Sequence, residues 1–190
     1  MRYKNYVLSL IVALATLWFS RSVDDRRSQP NTIPSMTSTS TIIAVTSTNA
    51  LVIRVVDGDT IVARIDGESE DAHVRLLGVN TPESVDPRRA VQCFSKEASR
   101  HMEELVEGKR VRLDQDFEAD DRDKYNRLLR NVVLEDGIDV NRALVHDGYA
   151  YAYVSFPMNV KRKTTLKREQ EEAKRARRGL WNPETCGGRK

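Results

Sequence analysis

From Leu51 onward the apolar positions fall into short β-branched runs, "LVIRVVD", "TIVARID" and "HVRLLGV", separated by the polar segments "DGD" and "DGESEDA". Partly alternating runs bounded by Asp and Gly predict strands joined by turns, here a three-strand meander. The period then changes. In "SKEASRHMEELVEGK" the residues Ala98, Met102, Leu105 and Val106 share one helical face, with Ser95 as the expected N-cap and Gly108 as the stop. "RVRLDQD" and "RLLRNVVLEDG" predict two more strands. Two helices close the pattern: "VNRALVHD", capped by Asp139 and ended by Gly148, and "TTLKREQEEAKRARR", from a threonine cap to Gly179. The second has a thin inner stripe of Leu166, Gln170, Ala173 and Ala176 or Arg177, and Trp181 follows as an expected apolar lock. Five strands with a helix between the third and fourth is the order of an OB-type Greek-key barrel. The expected fold class is therefore α+β, mostly β: a five-stranded barrel with three helices.

The residues before Leu51 do not continue this pattern. Arg2 and Lys4 precede an uncharged, largely apolar run over 6–20, and Arg21, Asp24, Asp25, Arg26 and Arg27 follow it, the layout of a secretory signal. A Ser- and Thr-rich stretch with Pro30 and Pro34 comes next and reads as a tether. The expected organisation is 1–27 signal peptide or membrane anchor, 28–50 linker and 51–190 folded domain. Ala13-Leu14-Ala15 is a cleavage-site candidate inside the apolar run, which favours an uncleaved anchor, although the run is shorter than the ~20 residues of a comfortable span. Both readings predict an extracytoplasmic domain, either secreted or attached through residues 6–20. In such a chain the two cysteines, Cys93 and Cys186, suggest a disulfide rather than a metal site, with two free thiols as the other reading.

Charge adds little by itself. A formal net charge of +3 suits an anionic ligand without requiring one. Residues 161–178 carry nine basic and three acidic side chains, which is usually a solvated helix face. The acidic stretch from Asp114 to Asp123 reads as a solvated loop, and His73, His101 and His146 show no ligand spacing.

Three places carry candidate chemistry. "VRLLGVNTPE" holds Arg75 inside an apolar run and ends on Asn80, Thr81 and Glu83; "VVDGDT" offers Asp57 and Asp59; "DKYNR" offers Lys124, Tyr125 and Arg127. Hard cations take oxygen ligands, which Asp59, the Asn80 amide and a nearby carbonyl would supply. Phosphodiester hydrolysis needs an activated water and cationic donors where charge grows on the phosphate oxygens, roles open to Glu83, Arg75 and Arg127. Arginine suits this better than lysine because its planar fork binds two oxygens at once.

These segments, with "VDPRRAVQCFSKEAS", "VNRALVHDGYA" and the terminal "GLW", resemble the staphylococcal nuclease (thermonuclease) family from about Val52 to Trp181. The resemblance implies that Asp59 and Thr81, through its carbonyl, bind the metal, with Asp57 near it. It implies that Glu83 is the general base or water-positioning group and that Arg75 and Arg127 clamp the phosphate. Lys124 and Tyr125 match residues that hold a terminal phosphate, Arg88 and Arg89 would steer phosphate, and Tyr151, Tyr153 and Phe156 are candidates to stack on a base. The implied cofactor is one Ca²⁺. Asn80 stands where the family's best-known member carries a metal-binding aspartate, so a weaker or more permissive site is expected, open to Mn²⁺ or Mg²⁺. Asn126 stands where glycine is common, and Asn tolerates the positive φ of such a turn.

The expected function is a Ca²⁺-dependent endonuclease, a hydrolase acting on DNA and RNA, preferably single-stranded, as a monomer, and leaving 3′-phosphates. The alternative is an OB domain that binds single strands without cutting them. Loss of Glu83 or an arginine would mark that alternative; all three are present, and Asn80 is the feature that keeps it open. Nothing in the domain calls for an adhesion protein.

Overall fold

In a computed structural model the described residues are 47–83 and 90–189. β1 (Ala50–Asp57), β2 (Thr60–Ile65) and β3 (Asp71–Leu76) form the meander, and β4 (Val79–Asn80) follows at once. After helix α1 (Ser95–Val106) come β5 (Arg110–Asp114) and β6 (Leu128–Leu134), then α2 (Val140–His146), β7 (Tyr151–Ala152) and α3 (Val160–Arg175). A closed barrel runs in the order β1-β2-β3-β6-β5. Its ladders are antiparallel except β3 with β6, which pair in parallel from Val74↔Leu128 to Leu76↔Arg130. The expected five-stranded OB-type barrel with three helices is the fold observed. β1 shifts register twice against β2, and such bulges bend a strand enough to help close a small barrel.

The core follows the predicted apolar faces. Val52, Ile61, Val74, Leu76, Val111, Val132 and Leu134 fill the barrel, and Met102, Val106, Leu144, Val145 and Leu166 bring the helices onto it. Four local expectations are corrected. First, "HVRLLGV" is not one strand: Gly78 turns the chain at φ 78°, so the barrel strand ends at Leu76 and Val79–Asn80 pairs instead with Tyr151–Ala152. A side chain at Gly78 would also meet Leu166 and Met158 at 2.6 Å, so the turn packs tightly against α3 and the segment leading into it. Second, α1 is capped by Phe94 in the left-handed region, φ 70°, and Ser95 lies inside the helix and buried. Third, α3 starts a turn before the threonines, because the Asn159 side chain accepts from the backbone N–H of Lys161 and Arg162. Its buried stripe is Leu166, Glu169 and Ala173, while Gln170 is only part-buried and accepts from Ala152 N at 2.9 Å. Fourth, Leu180 is the fully buried lock after α3; Trp181 lies edge-on to Tyr151 at 5.3 Å.

The acidic loop is largely exposed, as its composition suggests, but carboxylates within it are engaged. Asp116 is buried and accepts from Asn159 N at 2.8 Å, and Asp121 pairs with Arg130 at 2.6 Å. Both carboxylates therefore organise structure.

Cys93 and Cys186 are joined by a disulfide, Cα to Cα 5.9 Å, across a sequence separation of 93. It ties the start of α1 to the segment after α3. Reduction with dithiothreitol is expected to lower the urea midpoint, reflecting a loss of stability of at most ~4 to 5 kcal/mol in the chain-entropy account.

The localisation reading is corrected. Among the described residues no helix is long and apolar enough to cross a membrane. Residues 6–20, on which the anchor rested, lie outside them, as do the other residues of the 1–27 segment and most of the 28–50 linker.

Candidate active site

The β1–β2 turn, the chain leaving β3 and the entry to β6 meet at one end of the barrel. There they line a cleft of about 380 Å³ with Asp57, Asp59, Arg75, Asn80, Thr81, Glu83, Lys124, Tyr125 and Arg127. The three candidate segments, far apart in the chain, thus share one cavity. Gly58 explains part of this closeness: a Cβ there would stand 2.8 Å from Thr81 Cγ2, so glycine lets the turn lie against the Thr81 side chain.

Asp59 is the hub. Its Oδ2 accepts from Thr81 N at 2.9 Å and pairs with Arg75 at 3.0 Å, and its Oδ1 accepts from the Thr60 hydroxyl at 3.2 Å. Arg75 also donates to Leu76 O at 2.8 Å, which fixes its guanidinium at the strand end. The Thr60 hydroxyl in turn accepts from Arg127 at 3.2 Å. On its other side Arg127 donates through Nε to Asp123 Oδ2 at 2.8 Å. A continuous chain of contacts, Arg75, Asp59, Thr60, Arg127, Asp123, therefore sets the two guanidiniums relative to one another.

The local turns that build this chain follow from sequence. Asp123 Oδ1 accepts from the backbone N–H of Tyr125 and Arg127, and Asn126 takes φ 65°, as expected where the family often has glycine. Burial acts upward on Asp123, but hydrogen bonds from the Arg127 side chain, the Arg127 N–H and the Tyr125 N–H outweigh it and hold the carboxyl below its usual range. Asp57 moves the other way. Burial first, and the neighbouring Asp59 charge second, push it up to about 7. Two carboxylates crowded in this way repel each other, and a cation between them would relieve both.

Among the described residues there is no cluster of three or more His, Cys, Asp or Glu side chains arranged for a metal. The oxygens on offer are the Asp57 and Asp59 carboxylates, the Asn80 amide and the Thr81 carbonyl. That set fits a hard, oxygen-seeking divalent ion and not a soft transition metal.

The wall residues separate into two groups. Lys124 Nζ lies 4.9 Å from the centre of the Tyr125 ring and Arg127 lies 5.5 Å from it, so one exposed aromatic face gathers two cations at the cleft. Tyr153 and Phe156 line the cleft edge-to-face at 5.1 Å. Tyr151 does not line it: its ring is buried beside Trp181 and its hydroxyl donates to Arg189 O at 3.1 Å. Arg88 and Arg89 lie outside the described residues.

Three residues that hold the site were missed. Thr60 was visible as a neighbour of Asp59 and Asp123 as the first residue of "DKYNR"; the Thr60 bond to Arg127 is tertiary, whereas Asp123 reaches Arg127 within its own turn. Gln92 gave no signal at all. Its Oε1 accepts from Glu83 N at 2.8 Å and its N–H donates to Glu83 O at 2.9 Å, so Glu83 is fixed from both backbone sides by a residue adjacent to the disulfide.

The staphylococcal nuclease homologue family model matches residues 73–183, more than half of the chain. The thermonuclease of Staphylococcus intermedius is 39% identical over 116 residues, 61% of this chain and 67% of that protein. Two Bacillus subtilis proteins, the SPbeta prophage-derived endonuclease YokF and endonuclease YncB, are 36% and 35% identical over 109 residues, 57% of this chain. The match spans 36% and 51% of their lengths. A barrel of the same order, a cleft holding the arginines and carboxylates of "VRLLGVNTPE", "DGDT" and "DKYNR", and a family match across that region lead to one conclusion: this chain belongs to the staphylococcal nuclease homologue family.

Proposed function

We propose that the chain hydrolyses phosphodiester bonds of DNA and RNA, preferably single-stranded, and leaves 3′-phosphates. The observation that carries this reading is the linked pair of arginines, Arg75 and Arg127, on the wall of a cleft that also holds Glu83. Each guanidinium has donors beyond those engaged by the described residues, and together they would bind the phosphate oxygens on which charge grows as phosphorus becomes five-coordinate. Glu83, held by Gln92, would take a proton from the attacking water. The new bond is water oxygen to phosphorus, the bond to the 5′-oxygen breaks, and that oxygen takes a proton from solvent. Lys124 and Tyr125 would hold a neighbouring phosphate, and Tyr153 with Phe156 would meet a base.

Asp59, Asn80 and the Thr81 carbonyl, with Asp57 close by, would hold one Ca²⁺, which when bound polarises a phosphoryl oxygen. The full chain with single-stranded DNA is expected to cut in Ca²⁺ and to stop in EDTA. Intact substrate in Ca²⁺, Mn²⁺ and Mg²⁺ alike would overturn the reading. The Asn80 amide contributes no charge to the site. Asn80→Asp is therefore expected to lower the Ca²⁺ concentration for half-maximal cutting by about tenfold, read from a metal titration of the cleavage rate.

A further inference from the structure

The chain entering α1 is held in a conformation that its own residues do not favour. Phe94 occupies the capping position at φ 70°, in the left-handed region, and makes no side-chain cap. A bulky residue there is an outlier, kept only where surrounding contacts over-determine it. Ser95, a residue type that caps well, lies one position too late, with its hydroxyl buried and without a hydrogen-bond partner. A strained residue, an uncapped helix end and an orphaned hydroxyl at adjacent positions share one remedy. Were the helix to begin one residue later, Ser95 would be the cap, its Oγ would accept from the N–H of Glu97 or Ala98, and Phe94 would return to extended backbone.

The covalent tie beside these residues opposes that shift. Cys93 is bonded to Cys186, and the Cys186 end is anchored by contacts of its own. Leu180 is fully buried, Gly188 N donates to Leu180 O at 2.8 Å, Gly187 N donates to Asn182 O at 2.9 Å and the Tyr151 hydroxyl donates to Arg189 O at 3.1 Å. At the other end Val91 and Cys93 are exposed, and the Phe94 ring lies 5.5 Å from Tyr149. Gln92, next to Cys93, carries the setting to the cleft: its Oε1 accepts from Glu83 N at 2.8 Å, its N–H donates to Glu83 O at 2.9 Å, and Glu83 lines the cleft.

We propose that the Cys93–Cys186 disulfide is a redox switch on the cleft. Oxidised, it holds Phe94 in the capping position and Gln92 on Glu83; reduced, it lets Ser95 take the cap and draws Gln92 away from Glu83. The reductant is a dithiol. Its thiolate attacks the sulfur of exposed Cys93, the S–S bond breaks, and Cys186 leaves as a thiolate that takes a proton. The second thiolate then attacks the reductant's own sulfur in the mixed disulfide, which frees Cys93 as a thiol and the reductant as a cyclic disulfide, a two-electron exchange. The inference rests on the nuclease reading above and adds regulation of that same site: cutting is confined to oxidising surroundings.

The test uses the full chain with single-stranded DNA in Ca²⁺, well below the thermal midpoint of the reduced chain. Dithiothreitol is expected to lower kcat by at least about tenfold, with KM and the circular dichroism spectrum little changed, because displacing a catalytic group by about 1 Å is enough for such a loss. Cys93→Ser combined with Cys186→Ser should show the low kcat with or without dithiothreitol. Ser95→Ala removes the alternative cap, so it should keep the oxidised kcat and lose most of the response to reduction. Gln92→Ala should bring the oxidised kcat down to the reduced value, with no further loss on reduction. Apart from cutting, hydrogen exchange at the Glu83 N–H should be slow in the oxidised chain, faster in the reduced chain, and slow in both states of Ser95→Ala. Equal kcat and equal exchange in the two redox states would overturn the switch. So would a reduced chain that has lost its circular dichroism signal, or a Ser95→Ala chain that responds to reduction as the native one does. If exchange at Glu83 follows the redox state but the oxidised chain cuts in no metal, the switch stands and the nuclease reading falls; cutting that ignores the redox state is the reverse.

Discussion

Glu83→Gln is expected to lower kcat on single-stranded DNA by about a hundredfold or more, with KM changed little. The substitution removes the ability to accept a proton but keeps nearly the same volume. It also keeps what positions the residue, since Gln92 holds the backbone N–H and carbonyl of residue 83. Folding should therefore be unaffected, with the same urea midpoint. Glu83→Asp separates position from chemistry: the carboxylate survives but is withdrawn by one methylene, roughly 1.5 Å, and a misplacement of that order is itself worth about a hundredfold. Initial-rate kinetics on both variants check the point. A Glu83→Gln enzyme with native kcat would show that water is activated elsewhere.

The second large effect is on stability. Asn141 is fully buried at the start of α2, and its side chain works as a backbone surrogate. Its Oδ1 accepts from Val132 N at 2.9 Å, and its Nδ2 donates to Leu77 O at 2.8 Å and to Arg130 O at 3.2 Å. Arg130 O keeps another partner in Leu77 N, but Val132 N and Leu77 O would be orphaned in Asn141→Leu. Two buried backbone groups left unsatisfied cost about 1 to 3 kcal/mol each. A loss of about 3 kcal/mol or more is expected, and at the slope for a domain of this size the thermal midpoint should fall by roughly 6 to 12 °C. Because Leu77 lies just past Arg75 and Arg130 just past Leu129 of the cleft wall, activity should fail at a lower temperature as well. Urea denaturation followed by circular dichroism reads the first effect directly.

Gln92 and Asn141, on which these two predictions lean, have roles that appear only in three dimensions, whereas Glu83 was named from the sequence, and the same division runs through the whole molecule. "LVIRVVD" and "TIVARID" became β1 and β2 because β-branched alternation bounded by Asp-Gly turns has few other solutions. Asp139 caps α2 as read, through its bond to Arg142 N. The candidate cleft was legible only in combination: each segment is weak alone, and the resemblance set "DGDT", "VRLLGVNTPE" and "DKYNR" together, which the fold brings into one cleft. Errors arose where a long-range contact overrode a local preference. Ser95 is a good cap by type, but the disulfide at Cys93 and the Gln92 contacts to Glu83 fix the chain just before α1, and Phe94 takes the capping position. Tyr151 looked like its neighbour Tyr153, but Tyr151 lies in β7 with its ring against Trp181, whereas Tyr153 lies past the end of that strand and lines the cleft.

The amino-acid sequence alone therefore determined the elements, their order, the barrel they imply and the list of chemically able side chains, since each follows from local periodicity, turn chemistry and residue type. Tertiary structure alone decided which of those side chains meet. Thr60 and Arg127 are 67 residues apart, Asp59 and Thr81 are 22 apart, and Asn141 and Leu77 are 64 apart, yet each pair is in hydrogen-bond contact. The physical reason is range: periodicity acts within a turn or a strand, whereas a hydrogen bond between distant segments exists only after the barrel has closed and buried both partners together.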